Sequence, residues 1–383
     1  MRINKSTLVP LAITSVCMLL SCGSDYELTG ERPNVNPGDV TECPFTHIEG
    51  TPLSSYDCNP VFTSTNESWG GDVGSVGFYA TEVMGHPFYQ MWYTSSASSN
   101  FGDFGMGYAI SSSGTNWKTH PNNPLFQEDP NAWDKDSVAG QVIVWDPIEQ
   151  EYVMAYQGFT IGTGEFNWDT FETDNGIWGI GIATSPDGVT WKKSTHNPVI
   201  NFTEDFDIMM GANISPCWPL TITLHRGGFK GYIAATSAND AMMGQTICNI
   251  YEMNGLDSET WIIKDDQPIF SAGNSYDSMG FTSASVVELN GVQYMFYIGF
   301  TNWVQGNGYQ SASNLTVNLA TSVDDGETWV RDANNPLPIS TSGVASSIAA
   351  QVIGSRIHLW LTDDYDGQQA IGYFLYEPET TGE

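Results

Sequence analysis

The chain has few basic residues, few cysteines and no long apolar run. It contains 12 Lys and Arg against 44 Asp and Glu, for a formal net charge of −32 at pH 7. Such a charge repels phosphate backbones and anionic polymers, which argues against nucleic acid and favours a neutral ligand or a cation. Solubility in a salty environment also explains the acidity. No apolar segment reaches the roughly 18 residues that a membrane-spanning helix needs, so none is expected.

The N-terminus has the order of an export signal. Arg2 and Lys5 precede an apolar stretch over 8–20, and Leu19-Leu20-Ser21-Cys22 follows. This order resembles a bacterial lipoprotein signal, which implies cleavage before Cys22 and acylation of its thiol and amine. An ordinary signal peptide is the alternative. Loss of Arg2 and Lys5 would take the net charge to −34. We expect a lipid-anchored protein of the cell envelope, at the outer membrane, the cell surface or in the periplasm.

The six cysteines suit an oxidising compartment. Cys17 leaves with the signal and Cys22 is the lipidation site, so an even set remains: Cys43, Cys58, Cys217 and Cys248. Four cysteines allow three pairings, and proximity in the sequence favours Cys43 with Cys58 and Cys217 with Cys248. Buried free thiols are the alternative.

Internal repetition indicates one domain rather than several. Four tryptophans recur at intervals of 74, 70 and 68 residues, each just after a small polar turn: Trp117, Trp191, Trp261 and Trp329. A proline step follows each of them: Asn123-Pro124, Asn197-Pro198, Gln267-Pro268 and Asn335-Pro336. A fifth step, Asn59-Pro60, stands alone near the N-terminus.

Short segments rich in β-branched and aromatic residues precede each turn and read as strands. In the second repeat they are 137–145, 151–159 and 178–184, with 190–194 as a fourth, and in the fourth repeat 282–289, 293–300, 315–321 and 328–331. Only three follow Pro338, at 344–353, 356–362 and 370–376. The segment from Thr46 to Pro60 is expected to supply the missing strand, because this would cover an exposed sheet edge.

The sequence therefore predicts an all-β, five-bladed β-propeller with four-stranded antiparallel blades and a ring closed by an N-terminal strand. The expected division is a signal peptide over 1–21, the lipidated cysteine and a flexible tether over 22–44, the propeller over 45–378 and a C-terminal tail over 379–383.

Longer loops on one face of this propeller are the expected place for a site. Asp72 and Asp136 each precede a first strand, and Asp277 stands in a related Tyr-Asp-Ser stretch. Paired carboxylates about 5 to 10 Å apart can cleave glycosidic bonds, although Asp before a strand is also a common turn residue. Asp277 is predicted to bind substrate. Loop tryptophans could receive the apolar faces of sugars, and the candidates are Trp69, Trp133 and Trp303.

The segments 89–94 and 106–109, with Trp117 and 123–126, resemble blades of the five-bladed propeller glycoside hydrolases of families 43 and 32, and the resemblance covers about 45–377. It implies a base or nucleophile at Asp72 and an orienting carboxylate at Asp136. The family's acid is a Glu in the third blade, where this chain has no carboxylate over 213–219. The acid would then come from Glu204, Asp205 or Asp207, and Asp207 is the residue assigned.

Two other families with propeller folds fit less well. The stretch 322–329 matches the Asp-box turn of sialidases, but those enzymes use three arginines on a carboxylate. Glycoside phosphorylases need basic residues for phosphate. After the signal this chain has only Arg32, Arg226, Arg331 and Arg356, which counts against both.

The sequence predicts a monomeric glycoside hydrolase-like protein acting on a neutral oligo- or polysaccharide. A non-catalytic glycan-binding propeller is the alternative, and a pocket without an acid near Asp72 would favour it. No cofactor is expected. The acidic stretch 363–367 offers oxygen ligands for calcium, but it lacks a metal-binding motif of fixed spacing, and a solvated turn is the favoured interpretation.

Overall fold

The computed structural model describes residues 43–65, 69–83, 86–96, 104–160, 177–201, 219–236, 247–264, 267–306, 309–340 and 342–378. Within these ranges the regular structure is entirely β-strand, so the fold is all-β. No helix in them is long and apolar enough to cross a membrane. All described strands lie within the compact unit Pro44–Glu383.

Twenty-four strands are described, most of them short. In chain order they are β1 (Phe45–His47), β2 (Leu53–Tyr56), β3 (Asp72–Val83), β4 (His86–Ser96), β5 (Gly105–Ser111), β6 (Lys118–Thr119), β7 (Ser137–Asp146), β8 (Glu151–Thr160), β9 (Ile177–Ser185), β10 (Lys192–Lys193), β11 (Ile200–Asn201), β12 (Pro219–His225), β13 (Gly228–Thr236), β14 (Cys248–Gly255), β15 (Trp261–Ile263), β16 (Gly280–Leu289), β17 (Val292–Phe300), β18 (Asn302–Gly306), β19 (Tyr309–Ser313), β20 (Thr316–Ser322), β21 (Val330–Arg331), β22 (Ser347–Ile353), β23 (Arg356–Tyr365) and β24 (Gln368–Tyr376).

The strands form five antiparallel groups. Group 1 is β3–β6, group 2 is β7–β11, group 3 is β12–β15, group 4 is β16, β17, β20 and β21, and group 5 is β22–β24 followed by β2 and β1. One parallel bridge, from Cys248 to Gly280, joins groups 3 and 4 into a single sheet. The hairpin β18–β19 is inserted between the second and third strands of group 4. The strands predicted for the second, fourth and last repeats agree with these bounds to within three residues.

The N-terminal segment pairs with the last strand of the chain, as the sequence predicts. In β2, Leu53 lies opposite Tyr376 of β24. The segment differs from the expectation in forming two strands, because a turn at Gly50 (φ +77°) folds β1 back onto β2. Cys43 and Cys58, which flank this hairpin, are disulfide-bonded as predicted. Cys217 lies outside the described residues, so its pairing with Cys248 stays a prediction.

The recurring Asn-Pro step clamps a third strand. Asn59 accepts a hydrogen bond from the Tyr373 amide at 2.8 Å and donates to the Tyr373 carbonyl at 3.1 Å. The same pair of bonds joins Asn123 to Tyr108, Asn197 to Ile182 and Asn335 to Leu319. A side-chain amide carries both a donor and an acceptor, so it can substitute for one rung of a strand ladder. Asn59 therefore fixes the third strand of group 5 by the same two hydrogen bonds that the other asparagines make in their own groups.

The polar turns contain glycine because they pack closely against a tryptophan of an adjacent strand group. The indole nitrogen of Trp92 donates to the Gly188 carbonyl at 2.7 Å, and that of Trp360 donates to the Gly114 carbonyl at 3.2 Å. A Cβ on Gly188 would lie 2.7 Å from the Trp92 ring, and its φ of +75° also disfavours a side chain. These two turns thus link group 1 to group 2 and group 5 to group 1.

An aromatic stack packs the N-terminal segment onto the rest of group 5. Trp360 stacks on Phe78 at 4.3 Å and on Tyr373 at 5.0 Å between ring centroids, and Phe45 meets the Tyr373 ring edge-on at 5.2 Å. His358 stacks on Tyr373, and its Nδ1 shares a hydrogen bond with the Tyr373 hydroxyl. Burial lowers the pKa of His358 to about 4, and the nearby Arg356 adds to this effect.

Acid is expected to weaken the fold through His358. The neutral ring is favoured in the folded chain, whereas the unfolded chain takes up a proton near pH 6.5, so this stability is complete above pH 6.5 and is lost as the pH falls toward 4. Between pH 7 and 4.5 the wild type should lose about 1–3 kcal/mol more than His358→Gln. Urea unfolding at both pH values measures this, and equal losses in the two proteins would contradict it.

Candidate functional site

A cavity of about 300 Å³ lies where the first strands of the five groups meet. These strands contact one another in the order β3, β7, β12, β16 and β22, and β22 also contacts β3. Hydroxyl and amide side chains supply its polar lining, among them Ser75, Gln141, Gln157, Thr221 and Ser346. None of the described residues that line the cavity carries a charge. Such a lining suits a neutral, hydroxyl-rich ligand.

Bulges place these polar residues. The pairing of the first strand with the second shifts register between Val73 and Val76 in group 1 and between Ala139 and Val142 in group 2, and groups 3 and 4 have similar shifts. A bulge redirects side chains and is common beside functional sites. The bulged residues Gly74, Ser75, Gly140, Gln141, Leu220 and Thr282 all line the cavity.

Side-chain bonds hold several of the first strands together where no ladder joins them. Ser347 of β22 accepts from the Val76 amide at 3.1 Å, and Ser283 of β16 accepts from the Ile348 amide at 3.1 Å. Gln351 donates to the Phe78 carbonyl at 3.0 Å. Short polar side chains thus link β22 to both β3 and β16.

Asp72 is the first residue of β3 and is exposed. Its Oδ1 accepts a hydrogen bond from the Gln369 amide of β24 at 3.1 Å, so it lies where groups 1 and 5 meet. Its backbone carbonyl accepts from Ser95 Oγ at 2.9 Å. Within the described residues, the hydrogen bond to the Asp72 carboxylate is made at Oδ1 and not at the second oxygen. Asp72 stands at the start of a strand that lines the cavity.

Asp136 immediately precedes β7. Its amide donates to the Phe159 carbonyl at 3.2 Å, and its carboxylate forms an ion pair with Lys135 at 3.0 Å. Both side chains are partly exposed. Asp72 and Asp136 therefore stand at the starts of two first strands that contact one another.

Asp277 lies in a different setting, which it shares with Asp134 rather than with Asp136. Its carboxylate is fully buried, accepts from Arg331 Nε at 2.8 Å and the Tyr297 hydroxyl at 3.1 Å, and caps the Asn274 amide at 2.7 Å. Asp134 is equally buried, and it accepts from Lys193 Nζ and from the Tyr156 hydroxyl.

Each of these two buried carboxylates has a tyrosine and a cation as partners. Burial raises the pKa of both Tyr156 and Tyr297, and the adjacent carboxylate raises it further, so each hydroxyl stays protonated and donates. Arg331 also lies 4.0 Å from the Phe270 ring centroid, and Lys193 lies 4.8 Å from that of Phe126. The repetition in groups 2 and 4 favours a structural role for Asp277 over sugar binding.

The predicted aromatic platforms are partly buried. Trp69 stacks on Tyr93 with centroids 5.7 Å apart, and Trp133 covers Tyr156 at 6.0 Å. Trp303, in the inserted hairpin, meets Phe300 edge-on at 4.7 Å. Each indole thus has one side occupied by the core, and its remaining exposure decides whether a sugar can reach it.

The assigned acid Asp207 and the lipidation site Cys22 lie outside the described part of the chain. The alternative acids Glu204 and Asp205 also lie outside it. The described ranges contain no group of three or more His, Cys, Asp or Glu side chains placed to hold a metal ion. Sequence reasoning missed the cavity-lining Gln141 and Gln157. Their only local signal was an amide within an otherwise apolar strand, at 141 beside a glycine.

No protein-family model and no curated protein matches the chain. Solved structures do. One is described in work on the GH130 family of mannoside phosphorylases, which contains glycoside hydrolases that target β-1,2 mannosidic linkages in Candida mannan. It is 16% identical with a TM-score of 0.56, over 90% of this chain and 96% of that one. A glycosyl hydrolase from Bacteroides ovatus is 16% identical with a TM-score of 0.57, over 89% and 96%.

The Bombyx mori GH32 β-fructofuranosidase BmSUC1 is 14% identical with a TM-score of 0.54. The match covers 80% of this chain and 59% of that enzyme, so this chain spans well under two thirds of it. At such identities the likeness concerns the fold. The chain shares the fold of β-propeller-type glycoside hydrolases.

Proposed function

We propose that this protein is a glycoside hydrolase-like protein that acts on a neutral oligo- or polysaccharide. Asp72 serves as base or nucleophile, Asp136 orients it, and Asp207 donates the proton. Trp69, Trp133 and Trp303 form the walls against which the sugar rings pack. The observation that carries this proposal is that two of the five first strands around the cavity begin at or just after a carboxylate.

The five strand groups are the blades of one propeller in this proposal. The N-terminal strand β2 closes the ring by extending group 5. The contact of β22 with β3 supports this arrangement, because the last group then lies beside the first. A closed ring places all five strand starts around a single mouth, which is the geometry that a shared active site requires.

A second function is a glycan-binding propeller without hydrolysis. The uncharged lining of the cavity favours it, because a hydrolase needs two carboxyl groups beside the scissile bond. The two functions differ in their products rather than in their ligands.

The full-length protein, solubilised in detergent, should be tested against 4-nitrophenyl glycosides and neutral polysaccharides. Chromatography of released sugars and titration calorimetry are run on the same preparations. We expect sugar release from at least one neutral substrate. Binding without release would support the glycan-binding protein instead, and the absence of both would contradict both functions.

The anchor is part of the proposal. Cys22 carries the lipid that holds the protein at the bacterial envelope, at the outer membrane or cell surface or within the periplasm. Cys22→Ser is expected to move the protein from the membrane fraction to the soluble fraction, since a thiol is needed for acylation. Mass spectrometry of the N-terminal peptide checks the modification, and a variant that stays with the membrane would contradict the assignment.

A further inference from the structure

Gln141 is a buried amide that joins two neighbouring first strands. Its side chain belongs to β7 and is 3% exposed. Its Oε1 accepts from Ser75 Oγ at 2.9 Å and from Thr94 Oγ1, and its Nε2 donates to the Ser75 carbonyl at 3.1 Å and the Trp92 carbonyl at 3.3 Å. All four bonds end in group 1. One side chain of group 2 thus uses its full hydrogen-bonding capacity on its neighbour.

These bonds fall on the bulge of β3. Val73 pairs with Ser95 and Val76 pairs with Tyr93, which leaves Gly74 and Ser75 opposite Thr94 alone. A bulge takes backbone groups out of the ladder, and a carbonyl that is shielded from water then needs another donor. Gln141 provides the Ser75 carbonyl with a donor. Because Gln141 itself lies in the bulge of β7, this side chain joins the bulge of one strand to that of the other.

The joined bulges are close in sequence to both candidate carboxylates. Asp72 is three residues before Ser75, and Asp136 is five residues before Gln141. The positions of two carboxylates relative to one another determine which reaction they can perform. A catalytic pair also requires support from neighbouring residues that are themselves held rigidly.

We propose that Gln141 is a positioning residue, which holds the start of β3 against the start of β7 and thereby sets the placement of Asp72 relative to Asp136. The effect of Gln141 on turnover rests on the hydrolase function proposed above. Its effect on the positions of β3 and β7 does not depend on that function.

Gln90 offers a matched control. It is 4% exposed, donates to the Tyr108 hydroxyl at 2.8 Å and accepts from the Tyr152 hydroxyl at 2.6 Å, so it also joins groups 1 and 2 by a buried amide. It lies opposite Tyr79, toward the end of β3 remote from Asp72. Gln90→Met and Gln141→Met remove similar amides from the two ends of the same contact. Gln141→Glu keeps the size and one acceptor oxygen of the side chain, and it places a second oxygen against the Ser75 and Trp92 carbonyls in place of the donor.

Hydrogen–deuterium exchange of the full-length protein tests the strands directly. We expect faster exchange over residues 72–76 in Gln141→Met and Gln141→Glu, and wild-type exchange there in Gln90→Met. Unchanged exchange in both Gln141 variants would overturn the proposal, whether or not the protein hydrolyses any glycoside.

Kinetics on the 4-nitrophenyl glycoside that the wild type cleaves best test the consequence for turnover. In the Gln141 variants kcat should fall about tenfold to a hundredfold with KM changed less than about twofold, because misplacement of a catalytic group costs rate rather than binding. Gln90→Met should keep kcat within about twofold. An equal loss in the two Met variants would show general loosening and overturn the positioning role. If the wild type cleaves nothing, the hydrolase function fails, and the exchange result alone decides the proposal.

Discussion

Replacing Asp72 with Asn is expected to lower turnover about a hundredfold or more, the usual scale for a positioned base or nucleophile. The melting temperature should barely change. Asn keeps an oxygen that can accept from the Gln369 amide, now 3.1 Å from Asp72 Oδ1, and the side chain is exposed. Only the negative charge is lost, and with it the capacity to take a proton or attack a sugar carbon.

Asp57→Asn is the control for this substitution. Asp57 is also exposed, and its carboxylate also accepts a single hydrogen bond, here from Thr46 Oγ1 at 3.0 Å, but it lies beside the N-terminal hairpin. It should leave both turnover and melting temperature unchanged. An Asp72→Asn protein that unfolds earlier yet turns over normally when folded would identify Asp72 as a turn residue, and the catalytic role would be withdrawn.

Replacing Asp277 with Ala should lower the free energy of unfolding by about 3–5 kcal/mol, the usual cost of removing one partner of a buried ion pair. Arg331 would lose its 2.8 Å partner while its own side chain is only 22% exposed. The Tyr297 hydroxyl would lose its acceptor as well. Urea unfolding at pH 7 measures the change.

Asp136→Ala provides the comparison, because its ion pair with Lys135 is partly solvated. The side chains of Lys135 and Asp136 are 42% and 29% exposed, and exposed pairs contribute only about 0.2–1 kcal/mol. A small stability loss is therefore expected. If Asp277→Ala proved as stable as the wild type but bound saccharide more weakly, Asp277 would be a ligand-binding residue, as the sequence pattern first indicated.

Residues near one another in the chain were read correctly from the sequence. The alternation of β-branched and aromatic residues located the strands, and the Ser, Asp and Gly turns located their ends, since both depend on backbone preferences a few residues long. The lone Asn59-Pro60 step even indicated which segment completes the last group. Its partner Tyr373 lies 314 residues away, yet the repeated step gave a local sign of that contact.

The roles of the polar residues were decided by the tertiary structure. The Tyr-Asp pattern placed Asp277 with Asp72 and Asp136, but its partner Arg331 lies 54 residues further on, on an outer strand. No role was predicted for Gln141, which is a single amide within a strand, and its partner Ser75 lies 66 residues away in the sequence. No pattern of period two encodes such contacts, because they depend on how strand groups meet. The sequence by itself determined the strands, turns and clamps, and only their packing decided which carboxylates are buried in ion pairs and which remain accessible to a ligand.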